Sequence, residues 1–309
     1  MIQTGDARAR TVAWGNRNDA LLGLLRSLTV RLTGTVRSGG RSGASFTGTG
    51  VIVRVDNAVT HVVTAKHNLH VAATGTGTAP GDLADLFRRN IRVESATTPV
   101  VTSNIASVTL VDGDPENQGY DVAVLRLTSL ALADAVRALA GGVPAALSSP
   151  TWGHGPDIVE LPTLDEAGTL LANGASLSDR QHGTSYEDVQ GFKADHDLVQ
   201  LGYGRVGPGR EFRFDYRVLP ANALRDTRYL PRSGEGLEEL FTFVTTAEDT
   251  GLEGDSGGPV FAVDKQAKRA ALVGVYCGAN FFADRVDTSD VITNNAFTIV
   301  DRTRIGAMT

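Results

Sequence analysis

The 309-residue chain has one cysteine, Cys277, so no disulfide can form within it. It has no run approaching the ~18 consecutive apolar residues that mark a membrane-spanning helix. Its net charge is −6 with no basic block, so a phosphate-tracking nucleic-acid role is unsupported. The start, Met1-Ile2-Gln3-Thr4-Gly5-Asp6-Ala7-Arg8-Ala9-Arg10, lacks the apolar core of a secretory signal. Leu21-Leu22-Gly23-Leu24-Leu25 is too short and too far in to supply one, so a cytoplasmic location is expected. His61, His70, His154, His182 and His196 have no metal-ligand spacing, so neither a metal nor a cofactor is expected. What is present suits a globular protein. Hydrophobic residues make up 41%, enough for real cores, and 35 glycines imply many turns. The length fits two ordinary domains or one large two-lobed unit.

Gly254-Asp255-Ser256-Gly257-Gly258-Pro259 is the most specific stretch. Six specified residues in a row arise by chance on the order of once in ten million starting positions. The run sets a serine among glycines in a tight loop, able to expose a hydroxyl and aim backbone N–H groups at an approaching oxygen. A serine is a weak nucleophile at neutral pH and needs a base, and the base needs an orienting group. His67 follows the β-branched run Thr60-His61-Val62-Val63-Thr64, which places it just past a strand end. Asp121 opens the apolar strand Val122-Ala123-Val124-Leu125. Singly, each has an ordinary structural reading: a histidine after a strand, a strand-capping acid, a hairpin turn. Together they supply nucleophile, base and orienter. Gly254-Asp255-Ser256-Gly257-Gly258 also fits the nucleophile elbow of α/β-hydrolases, but that arrangement needs its acid and histidine after the serine. The last histidine here is His196.

The order His67, Asp121, Ser256, with Thr64-Ala65-Lys66-His67, Asp121-Val122-Ala123-Val124-Leu125 and Gly254-Asp255-Ser256-Gly257-Gly258-Pro259, resembles the trypsin/chymotrypsin-like serine peptidases. The resemblance runs from about Thr29 onward and is sharp at these three motifs. It implies an all-β fold of two antiparallel six-stranded β-barrels with the active site between them; a short N-terminal helical extension, read from this chain's own residues, precedes it. It implies a peptide hydrolase acting through an acyl-enzyme, with the N–H groups of Gly254 and Ser256 as the oxyanion hole. Secreted members are commonly disulfide-bonded, so a chain with one cysteine fits a bacterial, cytoplasmic member. The expected partners are a protein or peptide substrate and a regulatory protein that restricts activity, with no nucleic acid or membrane. The other class of function is a trypsin-like fold used as a regulated or idle binding module.

Along the chain, 1–28 reads as the extension, with Asn18 or Asp19 capping a helix through Arg26 that buries Leu21, Leu22, Leu24, Leu25 and Leu28. Residues 29–145 read as the first barrel lobe. Its strands are expected at Leu28–Val36, Gly48–Val55, Thr60–Thr64, Ile105–Val111 and Val122–Leu127. A loop is expected at 72–82, a helical turn at Asp82–Arg89 and a short helix at Ala131–Ala140. Residues 146–309 read as the second lobe, with an insertion at about 163–196. Strands are expected there at Leu198–Tyr203, Glu211–Leu219, Leu240–Thr246, Pro259–Val263, Ala271–Tyr276 and Ala296–Val300.

The resemblance leaves the specificity pocket open. Counting back from Ser256 puts neutral Thr250 at its base; one extra residue puts Asp249 there and selects Arg or Lys before the scissile bond. Gly274-Val275-Tyr276-Cys277-Gly278 resembles the pocket wall, whose backbone pairs with substrate as an added strand. Tyr276, Cys277, Gly278 and Asn295 are thus pocket candidates, with Phe297 behind them. Asp255 corresponds to an acid that in many relatives pairs with a new N-terminus made by cleavage. This chain lacks the Ile-Val-Gly-Gly start of that device. An internal partner, cleavage within 1–28 and an incompletely ordered loop all remain open.

Overall fold

The computed structural model describes residues 5–36, 44–73, 78–97, 99–110, 121–141, 161–163, 166, 195–206, 211–219, 224–228, 240–244, 253–266, 269–279 and 294–306. The chain is mostly β, with a helical N-terminus. Two helices come first, α1 (Gly5–Arg17) and α2 (Asp19–Leu28). The expected helix is α2, and Leu21, Leu24, Leu25 and Leu28 are its buried stripe. Asn18 stands at its N-cap position without capping it. Its amide Nδ2 instead bonds back to the Trp14 carbonyl at 2.9 Å, closing the end of α1. Helix α1 was not foreseen beyond "extension", because its buried face is only Ala7, Thr11, Trp14 and Gly15, a faint apolar period.

Strands β1 (Thr29–Val36), β2 (Ala44–Asp56), β3 (Val59–Thr64), β4 (Ile91–Glu94), β5 (Thr102–Leu110) and β6 (Ala123–Thr128) close into a barrel in the order β1-β2-β3-β6-β5-β4. The closing pair sets Arg31 opposite Glu94 and Leu32 opposite Val93. The β2–β3 hairpin turns at Asn57, whose φ of 51° is a left-handed value that asparagine tolerates. Val51, Ile52 and Val53 are all fully buried, because one face of β2 fills the barrel and the other lies under α2 and α5 (Leu130–Gly141). Two short helices interrupt the strands, α3 (His67–Ala73) and α4 (Leu83–Asn90). The first takes up the start of the expected 72–82 loop.

The second lobe holds β7 (His196–Gly202), β8 (Arg205–Val206), β9 (Glu211–Phe212), β10 (Asp215–Val218), β11 (Leu224–Arg228), β12 (Leu240–Val244), β13 (Pro259–Asp264), β14 (Ala270–Ala279) and β15 (Asn294–Ile299), then α6 (Arg302–Gly306). Its described strands do not form the expected second six-stranded barrel. They form a seven-stranded antiparallel sheet, β10-β7-β13-β14-β15-β12-β11, beside a β8–β9 ribbon. The strand expected over Glu211–Leu219 divides in two, because β9 pairs with β8 while β10 joins β7. Residues 142–160 and most of the expected 163–196 insertion lie outside the described residues.

Helix α2 packs on the barrel and α1 on β10 of the sheet. The Thr11 hydroxyl accepts from the Val218 N–H at 3.2 Å, Arg10 Nε donates to the Val218 carbonyl at 3.1 Å, and Trp14 Nε1 donates to Asp197 at 3.0 Å. The N-terminal helices thus span both lobes, and one apolar core runs from Leu25 and Val51 to Val199 and Phe261. Among the described residues no helix is long and apolar enough to cross a membrane.

Candidate active site

Strand β3 ends at Thr64, and three residues later His67 opens α3. Asp121 precedes β6, the neighbour of β3 in the barrel, so strand pairing brings the two together across 54 residues of chain. His67 Nδ1 lies 2.6 Å from Asp121 Oδ2, and the His67 backbone N–H donates to Oδ1 at 2.7 Å. Both carboxylate oxygens are therefore spent on one residue. A carboxylate only accepts, so in the neutral ring Nδ1 carries the proton and Nε2 keeps its lone pair. Burial disfavours the imidazolium, but the Asp121 charge and hydrogen bond outweigh it and hold His67 above the usual histidine value. Burial likewise pushes the Asp121 carboxyl up. The charge of His67 and its two hydrogen bonds win, and hold Asp121 below the usual carboxylate range.

Ser256 belongs to the other lobe, on the turn before β13, and the first barrel holds it in place. The Ser256 carbonyl accepts from the Thr49 N–H at 2.9 Å and from Asn68 Nδ2 at 3.0 Å. The Thr49 hydroxyl donates to the Gly254 carbonyl at 2.7 Å and accepts from the Tyr203 N–H at 2.9 Å. The Gly257 N–H donates to the Tyr276 carbonyl and the Tyr276 N–H to the Gly258 carbonyl, both at 2.8 Å. Two glycines make the turn fit. Gly254 and Gly257 have φ of +98° and +82°, where side chains are strained. A Cβ on Gly257 would stand 2.2 Å from both the Thr49 carbonyl and the Thr64 hydroxyl. The loop thus lies against Thr49, Thr64 and Asn68, the last of these next to His67 in the chain.

With both carbonyls turned towards the first barrel, the N–H groups of Gly254 and Ser256 have no hydrogen-bond partner among the described residues. Nor does a hydrogen bond join the Ser256 hydroxyl to His67 among these residues. Such bonds are commonly long until substrate closes on them. Asp255 is fully buried, its carboxylate against the backbone of Gly202 and Gly204, where an added Cβ would come within 2.3 and 2.5 Å of it.

Of the pocket candidates, Asp249 and Thr250 lie outside the described residues. Tyr276 is buried, and both its backbone groups are taken by the Ser256 turn, so it offers none to an added strand. The β13 edge of β14 is unpaired only past it, from Cys277 to Ala279 among the described residues. Gly278 faces open space, since a Cβ there would meet nothing within 4 Å. Asn295 sits in β15 opposite Ala279 and Phe243, and Phe297 is buried behind Gly274. Cys277 is not at an accessible pocket entrance. Its thiol is buried, 2.8 Å from the Thr298 hydroxyl and 3.4 Å from the Val275 carbonyl, and burial together with the Asp121 charge pushes its pKa well up. The register shift between Tyr276 and Gly278 turns it that way. Sequence reasoning missed Thr49, Thr64 and Asn68. Their neighbours gave a hint, since Thr49 lies between Gly48 and Gly50 and Asn68 follows His67, but the partners of Thr49 and Asn68 on the Ser256 turn lie about 200 residues away.

No family model and no curated protein matches the chain. Among solved structures it is similar to the active form of the Rv3671c protease from M. tuberculosis, at 16% identity over 95% of this chain and 84% of that one, with a TM-score of 0.44. So distant a likeness carries no functional conclusion, which rests on the geometry of this chain.

Proposed function

We propose that the chain is a serine endopeptidase of the trypsin-like type, with Ser256 as nucleophile, His67 as general base and then acid, and Asp121 as orienter. The observation that carries this is the docking of the Ser256 turn, through Thr49 and Asn68, beside an imidazole whose Nδ1 is fixed by Asp121. Ser256 Oγ attacks the peptide carbonyl while its proton passes to His67 Nε2. The Gly254 and Ser256 N–H groups receive the oxyanion, each donor contributing roughly 3–4 kcal/mol to lowering the barrier. His67 returns the proton to the leaving amine, and a water repeats the sequence to release the acyl-enzyme. In this reading the seven-stranded sheet stands in place of a second barrel as the second lobe, from about residue 146 onward, and the setting is the bacterial cytoplasm. An Asp249 at the pocket base directs cleavage to Arg or Lys; a Thr250 base directs it to small or polar residues.

A fluorophosphonate probe tests the assignment. The expected result is labelling at Ser256 together with hydrolysis of dye-labelled casein, both lost in Ser256→Ala while the fold stays intact. Hydrolysis that survives in the variant, or labelling at another residue, overturns it. One observation favours the second reading, an idle binding module: the Ser256 hydroxyl is not hydrogen-bonded to His67. A folded wild type that takes up no probe and cuts no casein is what that reading requires.

A further inference from the structure

The proposed reaction leaves unused a line of buried polar groups where the two lobes meet. Asn68 is 1% exposed, and its amide nitrogen makes two hydrogen bonds of 3.0 Å, one to the Thr64 hydroxyl and one to the Ser256 carbonyl. The direction of every bond is fixed by chemistry. A backbone carbonyl can only accept, so the nitrogen end of the carboxamide faces Ser256. The Thr64 hydroxyl has one proton and gives it to the Thr49 carbonyl at 2.6 Å, so it accepts from Asn68. The chain of donors runs Asn68 to Thr64 to Thr49, and Thr49 itself holds Ser256 and Gly254.

We propose that Asn68 is a positioning residue whose carboxamide, locked by Thr64, fixes the Ser256 peptide and so the placement of the Ser256 hydroxyl relative to His67. This rests on reading His67, Asp121 and Ser256 as the catalytic centre. Two donors, Asn68 and the Thr49 N–H, converge on one carbonyl. The N–H of the same peptide, that of Gly257, is held by the Tyr276 carbonyl; the Thr49 N–H ties the oxygen to β2, and Asn68 ties it to α3, the helix that carries His67. Asn68 adjoins His67 at the start of α3, so nucleophile and base take their positions from neighbouring residues of one helix. A displacement near 1 Å between reacting groups lowers rate on the order of 10²-fold. Loss of Asn68 leaves the Thr49 N–H bond, and with it the docked fold.

The test uses the full chain, with Ser256 titrated to its endpoint by fluorophosphonate so that rates refer to folded sites. Asn68→Ala is expected to lower kcat on dye-labelled casein, and the rate of phosphonylation, on the order of 10- to 100-fold per titrated site. KM stays within about twofold, because Asn68 does not touch substrate, and the pH midpoint is unchanged, because the His67–Asp121 pair is untouched. A residue that only supports the fold would lower the titrated fraction and the melting temperature and leave kcat per site alone. Should Asn68→Ala fail to fold, Thr64→Val removes the carboxamide's anchor at nearly constant shape and is expected to give a smaller fall in the same quantities. Wild-type kcat per titrated site in the folded variant overturns the positioning role. If Ser256→Ala is inert in the same assay, that failure is confined to Asn68; if Ser256→Ala retains hydrolysis, the catalytic reading itself falls.

Discussion

His67 and Asp121 belong to one closed barrel, whereas Ser256 belongs to a different sheet and reaches them across the seam between lobes. The first pair is set by strand register: β3 and β6 are neighbours, and the pairing of Thr64 with Ala123 brings the ends of both strands to one place. The Ser256 turn has no ladder with the barrel. Its position depends on individual groups of Thr49, Thr64 and Asn68 and on two left-handed glycines. In the proposed assignment, barrel closure makes the His67–Asp121 pair of base and orienter a property of one lobe, while the placement of Ser256 as nucleophile is a property of the interface. Damage to the first pair should therefore alter chemistry and its pH dependence, and damage to the seam should alter geometry.

The sharpest test on the barrel side is Asp121→Asn. The amide favours the wrong imidazole tautomer, a change that costs about 10⁴ in kcat in serine peptidases with this constellation. The fold is expected to persist, and kcat per titrated site to fall by about that factor. The pH profile carries the same signature. Because Asp121 holds His67 above the usual histidine value, the neutral base dominates only at higher pH, so the ascending limb of kcat/KM lies above about 6.5. Without the carboxylate the limb moves down. For stability the sign follows from the raised folded value: the contribution is fully present below about 6.5 and is lost as pH rises through the folded pKa. Asp121→Asn should thus lower the melting temperature more below about pH 6.5, where His67 is charged in both states, than at alkaline pH, where it is neutral in both. An equal loss at both ends would mean that the pair is not charged in the folded protein at the lower pH.

Gly257→Ala attacks the seam. The residue sits at φ +82°, and the new methyl would stand 2.2 Å from backbone and side-chain oxygens of the opposite lobe. Left-handed strain and overpacking together cost about 2–6 kcal/mol, and relief requires the turn to lift off Thr49 and Thr64. Casein hydrolysis is expected to fall on the order of 10²-fold or more, with hydrogen exchange speeding up at Gly257 and Tyr276. Exchange of β2 and β3 amides inside the barrel should stay slow. If the barrel amides lose as much protection as the turn, the lobes are one cooperative unit and the contrast drawn above fails.

The same contrast explains what the sequence made legible. The barrel strands announce themselves through β-branched and aliphatic runs such as Val51-Ile52-Val53 and Val122-Ala123-Val124-Leu125, and the triad candidates stand at strand ends beside them. Strands β4 and β11 were missed, β4 being four residues long and half polar and β11 five residues long and almost wholly polar, too short for a period to register. The strand expected over Glu211–Leu219 was misread because Arg213-Phe214, where β9 ends, carries no turn residue. Which way Cys277 faces was not legible, because a bulge inside a strand reverses facing without altering composition. Thr49 and Asn68 are ordinary polar residues whose meaning comes from a turn about 200 residues on, which local pattern cannot reach.

The smallest effect expected comes from the far end of the seam, where α1 lies on the sheet. Trp14 is 2% exposed and packs at a tilt against Tyr216, ring centroids 6.3 Å apart, while its indole N–H donates to Asp197. Trp14→Phe keeps an aromatic ring and removes the donor. Asp197 retains Lys265 at 3.6 Å and some solvent, so it is not left buried and alone. A hydrogen bond to a charged, partly exposed acceptor contributes about 1–2 kcal/mol, and the melting temperature should fall by the few degrees that corresponds to in a chain of this size. The rate of fluorophosphonate labelling per titrated site should not change, because the Ser256 turn takes its position from Thr49 and Asn68 rather than from α1. A slower labelling rate in Trp14→Phe would show that the N-terminal helices set the interlobe geometry at the nucleophile, and that the seam works as one unit from Trp14 to Ser256.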